Sequence, residues 1–463
     1  MLIVTSNKQI SLSNMPAQKM SPNGDIEQAK QQFHSAPVVD VTKCNISTLE
    51  PTIRLAIQNC DFIALDCELS GLGDRKKLND TSIEDRFANA SIVAQTRSII
   101  ALGLSIFKEK DMKDRIITKQ YLVQTYNIIV LCSEDYIVEP GSVNFLVKHG
   151  FNFNQQYSEG VPYYRGNDSD MASNEDNRLR NLITEIVRCK KKLVFHNGFI
   201  DIVFLYQNLY AQLPQTLPTF IADICEMFPN GIYDTKYIAD YVCRETSTFL
   251  EFVFKKLRKM NGIRMSKEAT NIKIEFPQYP ESCDFVDYVD CSGSENQVVD
   301  ENKEICQAFA NHGNCKNIEC VNSHDVDYIL AVQEDSKHSR KKKKREKNCD
   351  DLVRNNCDDL PQEMVVDVKN TQEDTKKTNA SSNTTTGHRA GMDAFMTGYS
   401  YAAFMWHKAK IENDTITIQD EMQDKNIVNR MYLVSKDFPL MIKKSNFSNN
   451  SVSHFEKYTK IMK

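Results

Sequence analysis

The sequence predicts an α/β fold in which a mixed β-sheet is flanked by helices. From Asn45 to about Lys259, short apolar runs of β-type residues alternate with longer segments of helical periodicity, a pattern typical of α/β proteins. The apolar runs are residues 62–65, 98–107, 128–131 and 193–195. With 463 residues, of which 41% are hydrophobic, the chain is long enough to bury one large core or two smaller ones.

The clearest predicted helix directly follows the run at 193–195. Apolar residues recur at helical spacing from Phe199 to Tyr210. We expect Pro214 to end this helix, because a proline ring clashes with the preceding helical turn.

Other segments lack this periodicity. Residues 1–40 are polar and aperiodic, and we predict that they form a disordered lead-in. Residues 262–303 are irregular, and residues 335–386 are charged and rich in Asn, Thr, Ser and Lys, which is typical of a linker. Two short β-like runs, 431–434 and 439–442, precede a polar tail. We find no internal repeat.

Composition limits the classes of protein to be considered. The formal net charge is -5, which argues against a basic nucleic-acid coat protein and makes any nucleic-acid contact local. The N-terminus turns polar after Val4, and no apolar run approaches the length of about eighteen residues that a membrane helix needs. We therefore expect a reducing compartment, in which the 14 cysteines are thiols or metal ligands rather than disulfides.

Two acidic residues, Asp66 and Glu68, follow the apolar run at 62–65. Residues i and i+2 of a strand point to the same face, so both carboxylates can bind one divalent cation or bridge two. Two Mg²⁺ ions roughly 4 Å apart can activate water and stabilise the leaving oxygen of a phosphodiester. The chain holds 62 acidic residues, so this spacing alone is more typical of a solvated strand end.

Three further residues complete a candidate metal-dependent site. Asp201 begins an apolar helix, where a carboxylate faces either the helix dipole or a metal. His388 and Asp393 lie at the start of the aromatic segment 387–404, and they offer an imidazole to deprotonate water and one more carboxylate. Helix-start carboxylates and a surface histidine are ordinary features, but their occurrence together favours a site.

The order of these motifs resembles that of the DEDDh superfamily of 3′→5′ exonucleases. Four segments, "LDCELSGLG", "HNGFIDIVFLYQNLY", "CEMFPNGIYDTKY" and "HRAGMDAFMTGY", look like the poly(A)-trimming deadenylase branch. Within it, the chain is most similar to the nuclear, Cajal-body deadenylases that also carry a CCCH zinc finger. The resemblance covers about residues 45–330 and 387–448. It leaves Asp223 and Asp234 as structural residues.

This resemblance implies a fold, a site and a division of the chain. The fold is a ribonuclease-H-like mixed sheet, the four carboxylates hold two Mg²⁺ ions, and His388 is the catalytic base. The finger and linker become an insertion into the nuclease domain. The predicted segments are a disordered N-terminus (1–40), the first part of the nuclease domain (41–290), a CCCH zinc finger (300–330), a disordered basic linker (331–386), the second part of the nuclease domain (387–448) and a polar tail (449–463).

A Cys/His cluster predicts a structural zinc site. Its spacing is Cys306-x8-Cys315-x4-Cys320-x3-His324, and three thiolates with one imidazole close a tetrahedral Zn²⁺ site. The middle gap is usually five residues in a CCCH finger, so His312 is a rival ligand. Such fingers bind single-stranded RNA by stacking, for which Phe309 and His312 offer rings, although a purely structural finger is the alternative.

The run "SRKKKKREK" at residues 339–347 is dense in positive charge. It predicts a nuclear localisation signal read by the import machinery, or an RNA-phosphate patch; a solvated linker face is the alternative. By resemblance, the location is the nucleus, with nucleolus and Cajal bodies, and no membrane partner is expected.

The leading hypothesis is a Mg²⁺-dependent 3′→5′ exoribonuclease that removes adenosines from oligo(A) or poly(A) at single-stranded 3′ ends. By resemblance, its substrates are small nuclear RNAs and related nuclear RNAs. One alternative is an RNA-binding zinc-finger protein on an inert nuclease scaffold, which the survival of all four carboxylates and the histidine argues against. Another is a DNA exonuclease. Oligomeric state is left open.

Overall fold

The computed structural model describes residues 33–110, 117–168, 177–291, 303–317, 319–333, 389–412, 415–418 and 424–463. His388 and the basic run 339–347 therefore lie outside the described residues, as do residues 1–32. The twelve cysteines within the described ranges are free thiols. No described helix is both long and apolar enough to cross a membrane.

The centre of the fold is an 11-stranded mixed sheet, which confirms the predicted fold class. A separate hairpin of Ala409–Glu412 and Thr415–Ile418 follows the helix Ala390–His407. The strands are β1 (Ser35–Val41), β2 (Phe62–Leu69), β3 (Ile99–Lys110), β4 (Thr118–Cys132), β5 (Val161–Tyr163), β6 (Lys192–Phe195), β7 (Ile232–Asp234), β8 (Asn271–Glu275), β9 (Val286–Asp290), β10 (Ala409–Glu412), β11 (Thr415–Ile418), β12 (Arg430–Met431) and β13 (Leu440–Met441).

The strand order is β13-β12-β7-β6-β2-β3-β4-β1-β9, and β5 and β8 also pair with the long strand β4. Strands β2, β6, β7 and β12 run parallel to one another, whereas β3 is antiparallel to both β2 and β4. The carboxyl ends of the four parallel strands therefore meet at one edge of the sheet, here called the carboxyl edge. Ligand sites in open α/β sheets form at such an edge.

Helices cover both faces of the sheet. The helices are α1 (Ile46–Asn59), α2 (Arg75–Leu78), α3 (Ile83–Thr96), α4 (Pro140–Lys148), α5 (Phe153–Glu159), α6 (Arg178–Arg188), α7 (Phe199–Leu205, continued by a π-helical turn, Tyr206–Tyr210), α8 (Leu217–Met227), α9 (Thr235–Tyr237, continued by a π-helical turn, Ile238–Val242), α10 (Leu250–Ser266), α11 (Gln307–His312), α12 (326–333), α13 (Ala390–His407), α14 (Asp424–Ile427) and α15 (Val452–Met462). One core packs α1, α3, α6, α7 and α8 on the first face. The other packs α9, α10 and α13 on the second.

The structure corrects several predicted boundaries. Residues 35–40 are not disordered, because β1 pairs with both β4 and β9. The irregular stretch 262–303 contains the end of α10 and strands β8 and β9. The helix at 199 ends at Tyr210, four residues before the proline expected to stop it, because Ala211 is already extended. Residues 331–333, predicted as linker, belong to α12.

The polar tail is also more ordered than its composition suggests. Within residues 449–463, α15 buries His454 and Ile461 against the first face. The Ser451 amide and hydroxyl donate hydrogen bonds to Asp223, at 2.9 and 2.7 Å. The His454 ring hydrogen-bonds the Tyr210 hydroxyl at 2.9 Å. Tertiary hydrogen bonds thus add to the apolar contacts of Ile461 in holding this helix on the sheet.

Candidate active site

Strand β2 presents two carboxylates on the same face. Its residues Ile63, Leu65 and Cys67 pack into the core of the first face, whereas Phe62 and Ala64 pack into that of the second. Because side chains alternate along a strand, Asp66 and Glu68 follow Phe62 and Ala64 toward the second face, where α13 lies. Both carboxylates are half-buried.

Helix α13 brings a third carboxylate to this pair. One ligand atom from each of Asp66, Glu68 and Asp393 lies within 4.8 Å of the others. Asp393 is 9% exposed and sits in the first turn of α13. Three carboxylates so close together suit a hard divalent cation, which prefers oxygen ligands. The helix beyond the linker therefore belongs to the same site as strand β2.

A glycine on β3 permits this approach. Gly103 is paired with Asp66 in the sheet. A Cβ atom at Gly103 would overlap the carbonyl oxygen of Ala390 and lie 2.8 Å from the amide nitrogen of Gly391. The start of α13 thus rests directly on the β3 backbone. The sequence signal of this contact is Gly103 itself, since glycine inside a strand often marks a close backbone approach.

Arg389 fixes the direction in which α13 begins. Its guanidinium forms ion pairs with Asp40 on β1 and Asp287 on β9. The Asn127 amide on β4 donates to Asp40 at 2.9 Å, and its oxygen accepts the Gly391 amide at 3.2 Å. These groups hold the turn that carries Asp393. They were not predicted, because they meet only when β1, β4 and β9 pair in the sheet.

Asp201 completes a group of four acidic residues at the carboxyl edge. It lies in the first turn of α7, and the backbone amide of Cys67, between Asp66 and Glu68, favours the ionised form of its carboxylate. It lies outside the three-carboxylate group, yet its charge acts on Asp66. Burial, and next the charge of Asp234, raise the pKa of Asp201 to about 7, against the effect of its amide hydrogen bonds.

Charge repulsion at the site favours the binding of a cation. Burial raises the pKa of Asp66 well above its usual range, and the charges of Asp393, Asp201 and Glu68 raise it further. A divalent ion reverses this effect, because it stabilises ionised carboxylates. Asp66, Glu68 and Asp393 therefore fit Mg²⁺ or a similar ion by their chemistry and by their placement, and Asp201 fits it by its chemistry.

The proton acceptor predicted at His388 lies outside the described residues, one position before Arg389. His196, at the end of β6, is not a substitute for it. Burial lowers the pKa of His196 to about 3, and its ring hydrogen-bonds the Thr235 hydroxyl at 2.9 Å and the Thr248 carbonyl at 3.0 Å. Both ring nitrogens are engaged, so His196 is a structural residue.

Two other aspartates near the site have structural contacts. Asp234 is fully buried and accepts hydrogen bonds from backbone amides of Asn197, Gly198, Lys236, Tyr237 and Tyr432. It therefore joins the ends of three parallel strands. Asp223 accepts from Tyr206 at 2.9 Å and from Ser451. Neither residue belongs to the group of clustered carboxylates among the described residues.

The Cys/His cluster also converges. Ligand atoms of Cys306, Cys315, Cys320 and His324 lie within 4.8 Å of one another, whereas the rival ligand His312 is exposed and outside this group. The Nε2 atom of His324 is buried without a hydrogen-bond partner. A buried nitrogen of this kind needs a partner, and Zn²⁺ with three thiolates supplies one. The residues therefore fit a zinc ion.

This cysteine module packs against the nuclease-like sheet domain. Its buried apolar side chains pack with Phe252 of α10 in one cluster; they are Ala310, Val326, Ile329 and Leu330. Phe309 contacts Phe249 at 5.7 Å between ring centroids and stacks on His324 at 4.7 Å. The prediction that Phe309 offers a free ring to RNA is therefore wrong for the face that His324 covers.

Comparisons with known proteins find a matching family model and several similar proteins. Residues 41–178 and 170–401 match the CAF1 family ribonuclease model. Poly(A)-specific ribonuclease PARN of Xenopus laevis is 24% identical over 139 residues, which are 27% of this chain and 21% of PARN. The pre-piRNA 3′-exonuclease trimmer of Bombyx mori is 25% identical over 213 residues, which are 44% of this chain and 36% of trimmer.

The matched regions are partial. The chain spans 21% and 36% of these two curated relatives. Among solved structures, that of S. pombe Pop2p, a Mg²⁺- and Mn²⁺-bound form, is 17% identical with a TM-score of 0.37. It covers 48% of this chain and 82% of Pop2p.

Proposed function

The chain belongs to the CAF1 family of ribonucleases, and we propose that it is a divalent-metal-dependent 3′→5′ exoribonuclease that removes adenosines from RNA 3′ tails. The observation that carries the proposal is the convergence of Asp66, Glu68 and Asp393 within 4.8 Å. The names of the relatives, a poly(A)-specific ribonuclease and a 3′-exonuclease, support both the direction and the substrate class.

Each acidic residue has a role in this proposal. Asp66, Glu68, Asp201 and Asp393 would hold two Mg²⁺ ions, which supply an activated water and charge stabilisation at the scissile phosphate. The water oxygen bonds to the terminal phosphorus, and the bond from that phosphorus to the 3′ oxygen of the preceding nucleotide breaks. The products are a nucleoside 5′-monophosphate and an RNA shortened by one residue. His388 accepts the proton of the attacking water.

We also propose a nuclear substrate and location. The basic run 339–347 supports import into the nucleus, because seven of its nine residues are Lys or Arg. By the resemblance to nuclear deadenylases with a CCCH finger, the substrates are oligoadenylated small nuclear RNAs and related RNAs, and the location includes nucleoli and Cajal bodies. Cys306, Cys315, Cys320 and His324 would hold one structural Zn²⁺.

A substrate panel tests the proposed activity. We expect the purified chain with Mg²⁺ to shorten an RNA with a 3′ oligo(A) tail one nucleotide at a time, and to act more slowly on U, C or G tails and on DNA. The measurement is the length distribution of 5′-labelled substrate against time. RNA binding without any shortening would indicate the inert-scaffold alternative, and equal rates on DNA would indicate a DNA exonuclease.

Loss of the cysteine ligands is expected to release zinc and to lower stability. In the double variant Cys306→Ser/Cys320→Ser, elemental analysis should find about one zinc less per chain, because a tetrahedral site needs all four ligands. RNA affinity should fall more than the rate on saturating short substrates. Cys283→Ser, a half-buried cysteine outside the cluster, is the matched control. Unchanged zinc content in the double variant would contradict the assignment.

A further inference from the structure

A continuous rim of polypeptide borders the candidate active site at the carboxyl edge. It consists of residues 75–81, Tyr241 and residues 432–438, and is here called the carboxyl-edge rim. One end follows Glu68 through the loop 70–74. The other begins at Tyr432, whose amide donates to Asp234 at 3.0 Å. The charge of Asp234 acts in turn on Asp201, so both ends of the rim adjoin the acidic residues of the site.

Hydrogen bonds hold the parts of the rim together. The buried guanidinium of Arg86 donates to the carbonyls of Asp80 at 2.5 Å and Val434 at 2.8 Å. The Lys436 ammonium group donates to the Thr81 carbonyl, and the Tyr241 hydroxyl donates to the Lys436 carbonyl. Segments far apart in sequence therefore form one surface.

The loop that joins the rim to the site is also fixed. The Glu139 carboxylate accepts the Leu72 amide at 3.2 Å and the Gly73 amide at 2.7 Å, and it pairs with Arg97. A Cβ atom at Gly71 would lie 2.5 Å from the Glu139 side chain, so the loop wraps closely around it. The short helix α2 is thereby held beside the end of β2.

Helix α2 concentrates positive charge at this position. Arg75, Lys76 and Lys77 are consecutive and exposed, and none of the three forms an ion pair with an acidic side chain in the described part of the chain. Adjacent like charges repel one another, and a bound anion relieves that repulsion. In a chain of net charge -5, this cluster is a local exception.

The opposite part of the rim is aromatic. Phe438 is 51% exposed, and the Lys436 ammonium lies 6.0 Å from its ring centroid. Tyr241 and Tyr432 form an edge-to-face pair 6.0 Å apart. The acidic residues Asp240 and Asp437 act electrostatically on Tyr241, so this part of the rim suits bases better than phosphates.

We propose that the carboxyl-edge rim binds the single-stranded RNA that leads into the active site. In this arrangement α2 contacts phosphates of the nucleotides upstream of the scissile bond, and Phe438 stacks on one of their bases. Basic grooves combined with exposed aromatic rings are the general means of binding single-stranded nucleic acids. The inference rests on the proposed exoribonuclease function, and assigns it a substrate track.

Charge reversal on α2 tests the phosphate contacts. All arms carry Asp66→Asn, so that binding of an oligo(A) of about fifteen nucleotides can be measured by fluorescence anisotropy without hydrolysis, in a salt series. Lys76→Glu/Lys77→Glu should weaken binding roughly tenfold or more and reduce the slope of log affinity against log salt by about 1.4, or about 0.7 per lost phosphate contact. Lys108→Glu/Lys267→Glu, exposed residues at the opposite end of the sheet, changes the net charge equally.

Removal of the exposed ring tests the stacking contact. Phe438→Ala should weaken binding of the same oligonucleotide by about tenfold, within the range measured for base–aromatic stacking. Phe455→Ala is the matched control, because this ring is 68% exposed on α15, away from the carboxyl edge. Equal affinities for Phe438→Ala and Phe455→Ala would remove stacking from the proposal.

The outcomes separate the two proposals. A wild-type chain that neither binds nor trims RNA would refute the proposed function itself. Suppose that the wild-type chain trims RNA, but that the α2 variant and its control have equal affinity and equal salt slope. This result would overturn the proposed RNA contact of the rim and leave the proposed function intact. Trimming assays give a further check, since the α2 variant in an otherwise wild-type chain should lose kcat/KM on long tails and retain it on a dinucleotide.

Discussion

Asp66→Asn is expected to abolish RNA hydrolysis and, at the same time, to raise the thermal unfolding temperature of the metal-free protein. The first effect follows from the proposed role of Asp66 as a metal ligand. The second follows from its surroundings, because burial and the charges of Asp393, Asp201 and Glu68 raise its pKa well above the usual range. Asparagine has nearly the same shape and carries no charge, so folding no longer brings a fourth negative charge to the cluster.

The pH dependence of this effect has a definite sign. A carboxyl whose pKa is raised in the folded state keeps its proton in the native chain at a pH where the unfolded chain has lost it, so stability falls as the pH rises above the unfolded-state pKa. For Asp66 this loss of stability begins as the pH rises above the ordinary value of 3.8. We therefore expect the advantage of Asp66→Asn in the metal-free state to be absent in acid and to reach at least about 2 °C near pH 8.

Metal binding should reverse the ranking. Mg²⁺ binds ionised carboxylates, so it should stabilise the wild-type chain more near pH 8 than near pH 5.5, and should stabilise Asp66→Asn far less. Calorimetry with and without Mg²⁺ measures each step. Asp284→Asn, at an exposed carboxylate outside the cluster, is the control for loss of charge alone.

His388→Ala gives the complementary result if His388 is the base. Its rate should fall by about 10² to 10⁴, as for loss of a positioned general base. Its Mg²⁺-induced stabilisation should be retained.

An Asp66→Asn protein that keeps substantial activity, or that is less stable than wild type without metal, would contradict the role given to Asp66.

The sequence located the parts of the fold that have local periodicity. The apolar runs at 62–65, 128–131 and 193–195 lie in strands of the sheet, and the run at 98–107 does so from Ile99 onward. Continuous burial on both faces of a sheet leaves such a continuous apolar run. The run at 431–434 overlaps the short strand β12 only at Met431, and the run at 439–442 contains the two-residue strand β13. Their bounds depend on pairing with β7 and with each other, which the local sequence does not specify.

Elements held by long-range contacts were missed. Strand β1 includes Pro37 and Asp40 and has no clear alternation, and it is stabilised by pairing with β4 and β9. Helix α15 depends on Asp223 and Tyr210, more than two hundred residues away. Strand propensity is strongly dependent on such context, so composition alone is a poor guide to these segments.

In the site, too, the residues found from local motifs were predicted, and those that depend on contacts between distant segments were not. Motif order and the resemblance selected the candidate carboxylates, and Asp66, Glu68 and Asp393 do converge. The residues that orient them, Arg389 and Asn127 above all, were not identified. Their importance arises only from the docking of α13 on the sheet, a contact between segments that are separated in sequence by the module and the linker.

Removal of residues 389–463 is expected to prevent the sheet from folding, rather than to leave a folded but inactive domain. All residues of α13 except Met396 and Met405 are buried, among them six large side chains: Met392, Phe395, Tyr399, Tyr401, Phe404 and Trp406. At about 2 kcal/mol for each large apolar side chain, their burial contributes about 12 kcal/mol. Domains are stable by only about 5–15 kcal/mol in total. Circular dichroism and calorimetry of the truncated chain measure this loss.

Gly103→Ala tests the docking of α13 in the full-length chain. The added methyl group would overlap the Ala390 carbonyl, so the start of α13 must move and carry Asp393 away from Asp66 and Glu68. Activity should therefore fall by at least about a hundredfold, since displacements near 1 Å can cost this much, while most of the buried aromatic residues keep their contacts. Gly141→Ala is the matched control, because nothing lies within 4 Å of a Cβ atom at Gly141.

A deletion within the predicted linker distinguishes the role of α13 from that of the segment that precedes it. Removing residues 348–372 should change stability and activity little, because the entropy of loop closure varies only by about 0.6 kcal/mol for each doubling of length. A truncated chain that folds and trims at the full-length rate would contradict the placement of α13 in the site. So would a Gly103→Ala variant with the same rate and the same Mg²⁺-induced stabilisation as Gly141→Ala, because a displaced Asp393 must weaken the metal site.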